Sequence, residues 1–566
     1  MAISRLLALL LLAGCSTVPR GELPEWAAVA HKTDILGPAT SSSRALWLAS
    51  HGEWGSALQL CEEGVESGSL DLRELEQLGV LLLQQGLKGS QEEQLLTLIG
   101  AGIAQNLAVR SILEEACSSG HPMVQLHALT ALASDGDDEI DPFLIRAMGS
   151  PWIPVRLTAA HLLASKRSPA VIEQVEAMYY KLPHEVRPYL APLLAQVNTS
   201  EAITLLIRLA QDQRAMVRIA AVHSLAQAHR DDEALRILAM MQQDQGAEAE
   251  ACAYALGHLH DTRALPHLHR LLNSGELTTR IAAAQALWSF GDEEALKALL
   301  WEARGGHPFA VMALDHIKEG IPVLVDLLDD PRRFVQINAA LALLQHRDRR
   351  ALPVIEHWLT SDPHVMPLVP AHSPGGALQA YGSRSLTEEE FPVALMIRQR
   401  VLSQCIELPE EDFLRLAARL YAEQSIELIP LLTRLLENLQ TPAALELLHQ
   451  ERQRTGGPLS RAYATLALYR LNEPGPWEES LMRWLEEHHK TELIQLQPEA
   501  PWDPENLDAA RYSLSTQQTS QLFIETLEAL AQHPSGRGRG LILRVIRQGH
   551  PRNRFVLAGI LMRMSL

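Results

Sequence analysis

Apolar residues recur along this chain with the spacing of an amphipathic helix, and the helical blocks themselves recur every ~31 residues. Leu132, Leu163, Leu194, Leu225, Leu256 and Leu287 mark the period. Four residues earlier, one turn up the same face, stand Ala128, Ala159, Leu190, Ala221, Cys252 and Ala283, most of them small. A dipeptide opens the blocks as Val124-Gln125, Val155-Arg156, Val186-Arg187 and Val217-Arg218, fades to Glu248-Ala249, and returns as Thr279-Arg280. A shorter unit follows around HPFAVMALDHI, and the pattern resumes with Val335-Gln336 and Leu343. In the fourth unit the pattern predicts a first helix over EAITLLIRLAQ, a turn at DQRA, and a second helix over MVRIAAVHSLAQA. Small residues on the second helix permit close contact, and the leucine fills the layer between helices. A single hairpin cannot bury its apolar face alone, so neighbouring units must stack.

Over about residues 103–358 this spelling is similar to HEAT repeats, including the bacterial HEAT-like repeats of phycobilisome lyases. The resemblance implies an all-α solenoid of stacked antiparallel helix pairs, with the second helices lining the concave side, where partners lie. It also implies a structural role for Arg156, Arg187, Arg218 and Arg280, each pairing with acceptors at the preceding turn. Asp212 suits Arg218; Ser150 suits Arg156 less well.

The flanks change the picture. Residues 41–102 read as an N-terminal helical cap, in which Gly52, Trp54 and Ala57 weakly resemble a tetratricopeptide hairpin. Residues 359–392 form a Pro- and Gly-rich loop, read as irregular or as a docking element, because long loops inside solenoids are uncommon. Further helical repeats are expected over 393–495, a linker over 496–518, and an Arg-rich C-terminal helical cap over 519–566.

Composition supports stacked helices. Apolar residues make up 47% of 566 and aromatics only 5%, a balance that favours helices over sheets. The net charge is 49 − 68 = −19, so the body repels phosphate and no nucleic-acid partner is expected. The end inverts this balance: from Ala529 onward there is no Asp or Glu, and seven arginines. That tail reads either as a cap neutralising an acidic body or as a surface for anionic lipid or an acidic partner.

The first residues carry an address. Arg5 precedes a leucine run too short to span a bilayer, as in a secretory signal peptide over residues 1–14. Leu12-Ala13-Gly14-Cys15 resembles the lipobox of bacterial lipoproteins. The resemblance implies lipidation of Cys15, cleavage before it, and a tether over residues 15–40. Two or three acyl chains hold a membrane stably, since each buried methylene contributes about 0.8 kcal/mol. The expected location is the bacterial envelope, anchored and facing the periplasm or exterior; Ser16 after the cysteine points to the outer membrane in a Gram-negative cell. Cys61, Cys117, Cys252 and Cys405 show no metal spacing and read as buried free thiols.

Candidate chemistry is sparse. His258, His260, His267 and His269 lie within twelve residues, yet residues two apart on a helix diverge. HEAT-like deoxyhypusine hydroxylases bind iron through recurring His-Glu dipeptides, and here His184-Glu185 stands alone. There is no Walker loop, GxGxxG or Ser-His-Asp frame. No catalytic residue, metal or cofactor is expected.

A partner-binding face is the better candidate. Two residues on either side of the leucine ladder lie i, i+4 pairs on the second helix. They include His161, Gln196, His223, Gln227, Tyr254, His258 and Gln285. The expectation is a non-enzymatic, membrane-anchored scaffold that receives a protein or peptide of the envelope on this neutral face. The rival is an enzyme or accessory subunit using the 361–392 loop or the His258–His269 cluster.

Overall fold

The computed structural model describes residues 41–69, 72–104, 106–133, 140–183, 186–228, 246–361, 391–499, 511–515, 518–532 and 536–564. The signal peptide, Cys15, the tether, the His184-Glu185 dipeptide and residues 362–390 of the Pro/Gly-rich loop lie outside them.

The repeat spelling folds into stacked helix pairs. In the fourth unit the helices are Ser200–Leu209 and Ala215–Gln227. Thr199 starts the first by accepting the Ala202 N–H on its hydroxyl, satisfying one of the orphan donors of a helix N-terminus. The ladder leucines from Leu132 to Leu287, and the small residues one turn before them, are all buried. The second helices Leu190–Val197, Ala215–Gln227, Ala247–Leu259 and Leu277–Ser289 pack side by side in that order. Their approach is close: a methyl group on Gly257 would stand 2.6 Å from the Cβ of Ala286.

The chain divides into two compact units. One runs from Ala159 to Leu435 and is held by turn clamps. The Arg218 Nη1 donates to the Asp212 carbonyl at 2.8 Å, and its Nε donates to Glu248 at 3.1 Å. The fading of Val-Arg at Glu248-Ala249 thus has a physical reason: Glu248 is buried at the valine position and receives the arginine of the preceding unit. Arg280 donates to the carbonyls of Ser274 and Gly275 at 3.1 and 3.2 Å. Arg187 departs from the expectation. It sits in a short 3-10 turn, Arg187–Tyr189, and its guanidinium lies 4.8 Å over the Tyr179 ring instead of on a turn carbonyl.

The other unit joins the N-terminal segment, through Thr158, to the C-terminal segment from Leu436. The regions read as N-terminal and C-terminal helical caps pack against each other here. The last helix, Asn553–Arg563, is buried from Phe555 to Met562 and packs on Leu72–Leu87 and Gln91–Ala104. Gly559 and Gly100 meet at the crossing: a methyl on either would overlap a backbone carbonyl of the other helix. The helix Gly536–Gln548 adds charge pairing, since Arg544 and Arg547 both reach Glu62, at 2.9 and 2.8 Å, across 482 and 485 residues of sequence. Arg552 pairs with Glu92 at 2.6 Å and Glu492 at 3.2 Å. In this unit Arg156 leaves its Nε without a partner among the described residues, while Ser150 donates instead to Gln125 at 3.3 Å.

The segment read as a linker over 496–518 contains ordered backbone. Gln495–Glu499 and Arg511–Ser515 form an antiparallel strand pair, with Leu496 opposite Leu514.

His127, on Pro122–Ala133 in the same unit, has a buried Nε2 with no partner among the described residues. Burial lowers its pKa to about 4. The folded value lies below the unfolded one, so the stabilisation is complete above about pH 6.5 and is lost as pH falls toward 4. At pH 5 the loss is about 2 kcal/mol relative to pH 7. Thermal melts at the two pH values should diverge for the wild type and converge partly for His127→Leu; equal divergence in both would refute the assignment.

Candidate partner-binding face

Each second helix buries its leucine and its small residue, which leaves the positions on either side of the ladder facing away from the core. Gln196, Gln227, His258 and Gln285 are exposed there, and His223 and Tyr254 are half-buried. The structure brings three of the seven into direct contact. The rings of His223 and Tyr254, one repeat apart, are edge to face with centroids 5.3 Å apart. The Tyr254 and His258 rings, one turn apart, are stacked at 5.3 Å. A strip of rings therefore crosses from one second helix to the next. Gln196, Gln227 and Gln285 lie on the same packed helices, without a ring contact to this strip. His161 is exposed on the preceding second helix, Ile153–Ser165, and desolvation by its surroundings lowers its pKa.

The four clustered histidines do not converge. His258 stacks on Tyr254, while His260 ends its helix in the left-handed conformation at φ 51° with its ring 5.9 Å from Phe290. His269 faces Asp292 at 3.5 Å. Among the described residues, no three or more His, Cys, Asp or Glu side chains are placed to share a metal ion. The four cysteines are free and buried, each thiol pushed up to about 12 by burial first; at neutral pH the reactive thiolate is scarce.

A second cluster, on the first-helix side, escaped the sequence reading. Tyr179 and Tyr180 on Ala170–Lys181 stand edge to face at 5.2 Å. Tyr179 donates to Asp212, raising its own pKa, and Arg208 pairs with Glu176 at 2.9 Å while donating to the Tyr180 hydroxyl. Every charge in it has an internal counter-charge or ring, which makes it a brace between repeats. Its bonded partners are 28 to 33 residues apart, and no residue type recurs with them from unit to unit.

Residues 243–301 match the family described as HEAT repeats, a span that contains two of the packed second helices. Comparison with curated proteins gives no match. Among solved structures, the chain is similar to the complex of CpcE and CpcF of phycocyanin lyase from Nostoc sp. PCC7120, at 20% identity and a TM-score of 0.28, over 38% of this chain and 92% of that one. It is also similar to Kap121p bound to Pho4p, at 12% identity and a TM-score of 0.29, over 100% of this chain and 69% of that one. The fold is an all-α solenoid of stacked helix pairs, and the chain carries HEAT-like repeats.

Proposed function

We propose that this protein is a non-enzymatic, lipid-anchored scaffold of the bacterial envelope that binds a protein or peptide on its second helices. The observation that carries the reading is the strip formed by the half-buried His223 and Tyr254 and the exposed His258, continuous between adjacent repeats. Aromatic groups with exposed polar tips are what partner surfaces favour. The side chains there point outward and converge on no common centre, which suits contact along a surface better than chemistry at a point. Cys15 supplies the membrane attachment and the acidic body avoids nucleic acid.

The test replaces His223 and Tyr254 by glutamate in the tagged, acylated chain and purifies it from its own envelope. The partner recovered with wild type should be lost, while Trp301→Ala, which alters an exposed side chain on Glu293–Arg304, should retain it. Retention by the correctly folded glutamate variant would sink the reading. Labelled palmitate should enter the wild type and not Cys15→Ser.

A further inference from the structure

We infer that the N-terminal helix Ser41–Ser50 rests on the lipid surface itself, with the Trp47 ring at the interface and the Arg44 guanidinium against anionic headgroups. The inference rests on the lipid-anchored reading above and adds the surface by which the anchored body meets its membrane. Three features point to it.

The first is the face left open. Ala45 and Ala49, 3% and 2% exposed, lie on the side of the helix that packs on Trp54–Ser67. Arg44, Trp47 and His51 follow at i, i+3 and i+7 on the opposite side, and all three are exposed. Trp47 itself is 50% exposed. Its ring centroid is 4.1 Å from that of His51, whose Nδ1 lies 2.8 Å from the Trp47 carbonyl, so both rings are held at the surface. An indole has an apolar body and one polar N–H, which suits the boundary between headgroups and acyl chains.

The second is charge. The chain has a net charge of −19, yet residues 41–52 hold Arg44 and no Asp or Glu. The first carboxylate after them is Glu53, past the turn at Gly52. An anionic headgroup supplies the counter-charge that Arg44 offers to take, whereas a face bearing carboxylates would be repelled.

The third is size and reach. A half-exposed tryptophan leaves on the order of 100 Å² open. A stable protein interface takes about 800 Å² from each partner, so this patch cannot hold a protein by itself. A surface to which the chain is already tied needs far less, because the second contact is intramolecular. Between Cys15 and Ser41 lie 40 − 15 = 25 residues, at most about 90 Å of chain. This helix is the first described element after them.

Hydroxyl-radical footprinting of the acylated full chain, read at Trp47 by mass spectrometry against an added reporter peptide, tests this. On vesicles of phosphatidylcholine and phosphatidylglycerol, Trp47 should oxidise severalfold more slowly than in the vesicle-free Cys15→Ser chain. Vesicles of phosphatidylcholine alone should protect it less. Arg44→Glu, at an exposed site that leaves the core intact, should restore much of the oxidation on the mixed vesicles. Equal oxidation with and without vesicles would overturn the inference. So would protection that is the same on both lipids and indifferent to Arg44→Glu. Protection found only in native envelope membranes would assign the cover to a protein and overturn it too. Labelled palmitate separates the two readings. An acylated chain that stays on the vesicles with Trp47 open removes this inference and keeps the anchor; a chain that takes up no palmitate and leaves the vesicles removes both.

Discussion

Gly100→Ala should destabilise this protein strongly, while Gly102→Ala, on the same helix two residues later, should be neutral or stabilising. Both glycines lie in Gln91–Ala104. A methyl at Gly100 would overlap the Phe555 carbonyl of the final helix, whereas one at Gly102 meets nothing within 4 Å. Backbone cannot rotate away as a side chain can, so the final helix must shift from its seat. Overpacking of this kind costs about 3 kcal/mol. At Gly102 alanine gains helix propensity, up to about 1 kcal/mol. Gly559→Ala should resemble Gly100→Ala, since its methyl would meet the Gly100 carbonyl, and the double variant should lose less than the sum, because the two sites share one contact. Melting temperatures, with hydrogen exchange of the Leu72–Leu87 and Gln91–Ala104 helices as the local readout, check the set. Similar behaviour of Gly100→Ala and Gly102→Ala would mean that the two chain ends do not pack as described.

That junction marks the limit of what the sequence makes legible. The leucine ladder could be read because each repeat packs on its neighbour, so the constraint lies within about 31 residues and is spelled in each unit. The Ser200–Leu209 and Ala215–Gln227 hairpin accordingly falls within two residues of the expected bounds. Glu62 and Arg544, 482 residues apart, obey no period. The Arg-rich end looked like a surface for anions or a neutralising cap, and only the fold shows Arg544, Arg547 and Arg552 already engaged by Glu62, Glu92 and Glu492. The glycines at the crossing read locally as weak helix positions, because their reason is the other end of the chain.

The candidate face divides in the same manner. The register placed His223 and Tyr254 at equivalent positions, and equivalent positions on packed helices adjoin, so their ring contact follows from the period. Orientation did not follow. Arg187 shares its register with Arg218, yet Pro188 and a 3-10 turn change the local backbone, and Arg187 covers Tyr179 where Arg218 bonds its turn. A repeat fixes where a Cα lies more firmly than where a long side chain ends.

Arg398→Met should lower the stability of the Ala159–Leu435 unit by about 2–3 kcal/mol, a cost set by leaving buried polar groups unpaired. Arg398 is 3% exposed on Phe391–Cys405. Its Nη2 donates at 2.7 Å to the carbonyl of Leu359, near the end of Leu352–Ser361, and its Nη1 reaches Glu427 at 3.3 Å. Burial lowers its pKa and Glu427 opposes the shift, so the cation persists because carbonyl and carboxylate both face it. Methionine fills a similar volume without a donor. It strands the Leu359 carbonyl at a helix end whose orphan groups already need partners, while Glu427, about a third exposed, turns to water. Arg398→Lys should recover part of the loss, since an ammonium can bond one acceptor and lacks the fork that spans both. Arg419→Met is the matched control: that side chain is 56% exposed in its pairs with Glu356 and Glu423, and exposed pairs contribute at most about 1 kcal/mol. Denaturation midpoints, read with hydrogen exchange of Leu352–Ser361 and Phe391–Cys405, should rank wild type and Arg419→Met together, then Arg398→Lys, then Arg398→Met. If Arg398→Met matched Arg419→Met, the guanidinium would be idle at this seam and packing alone would hold the two helices together.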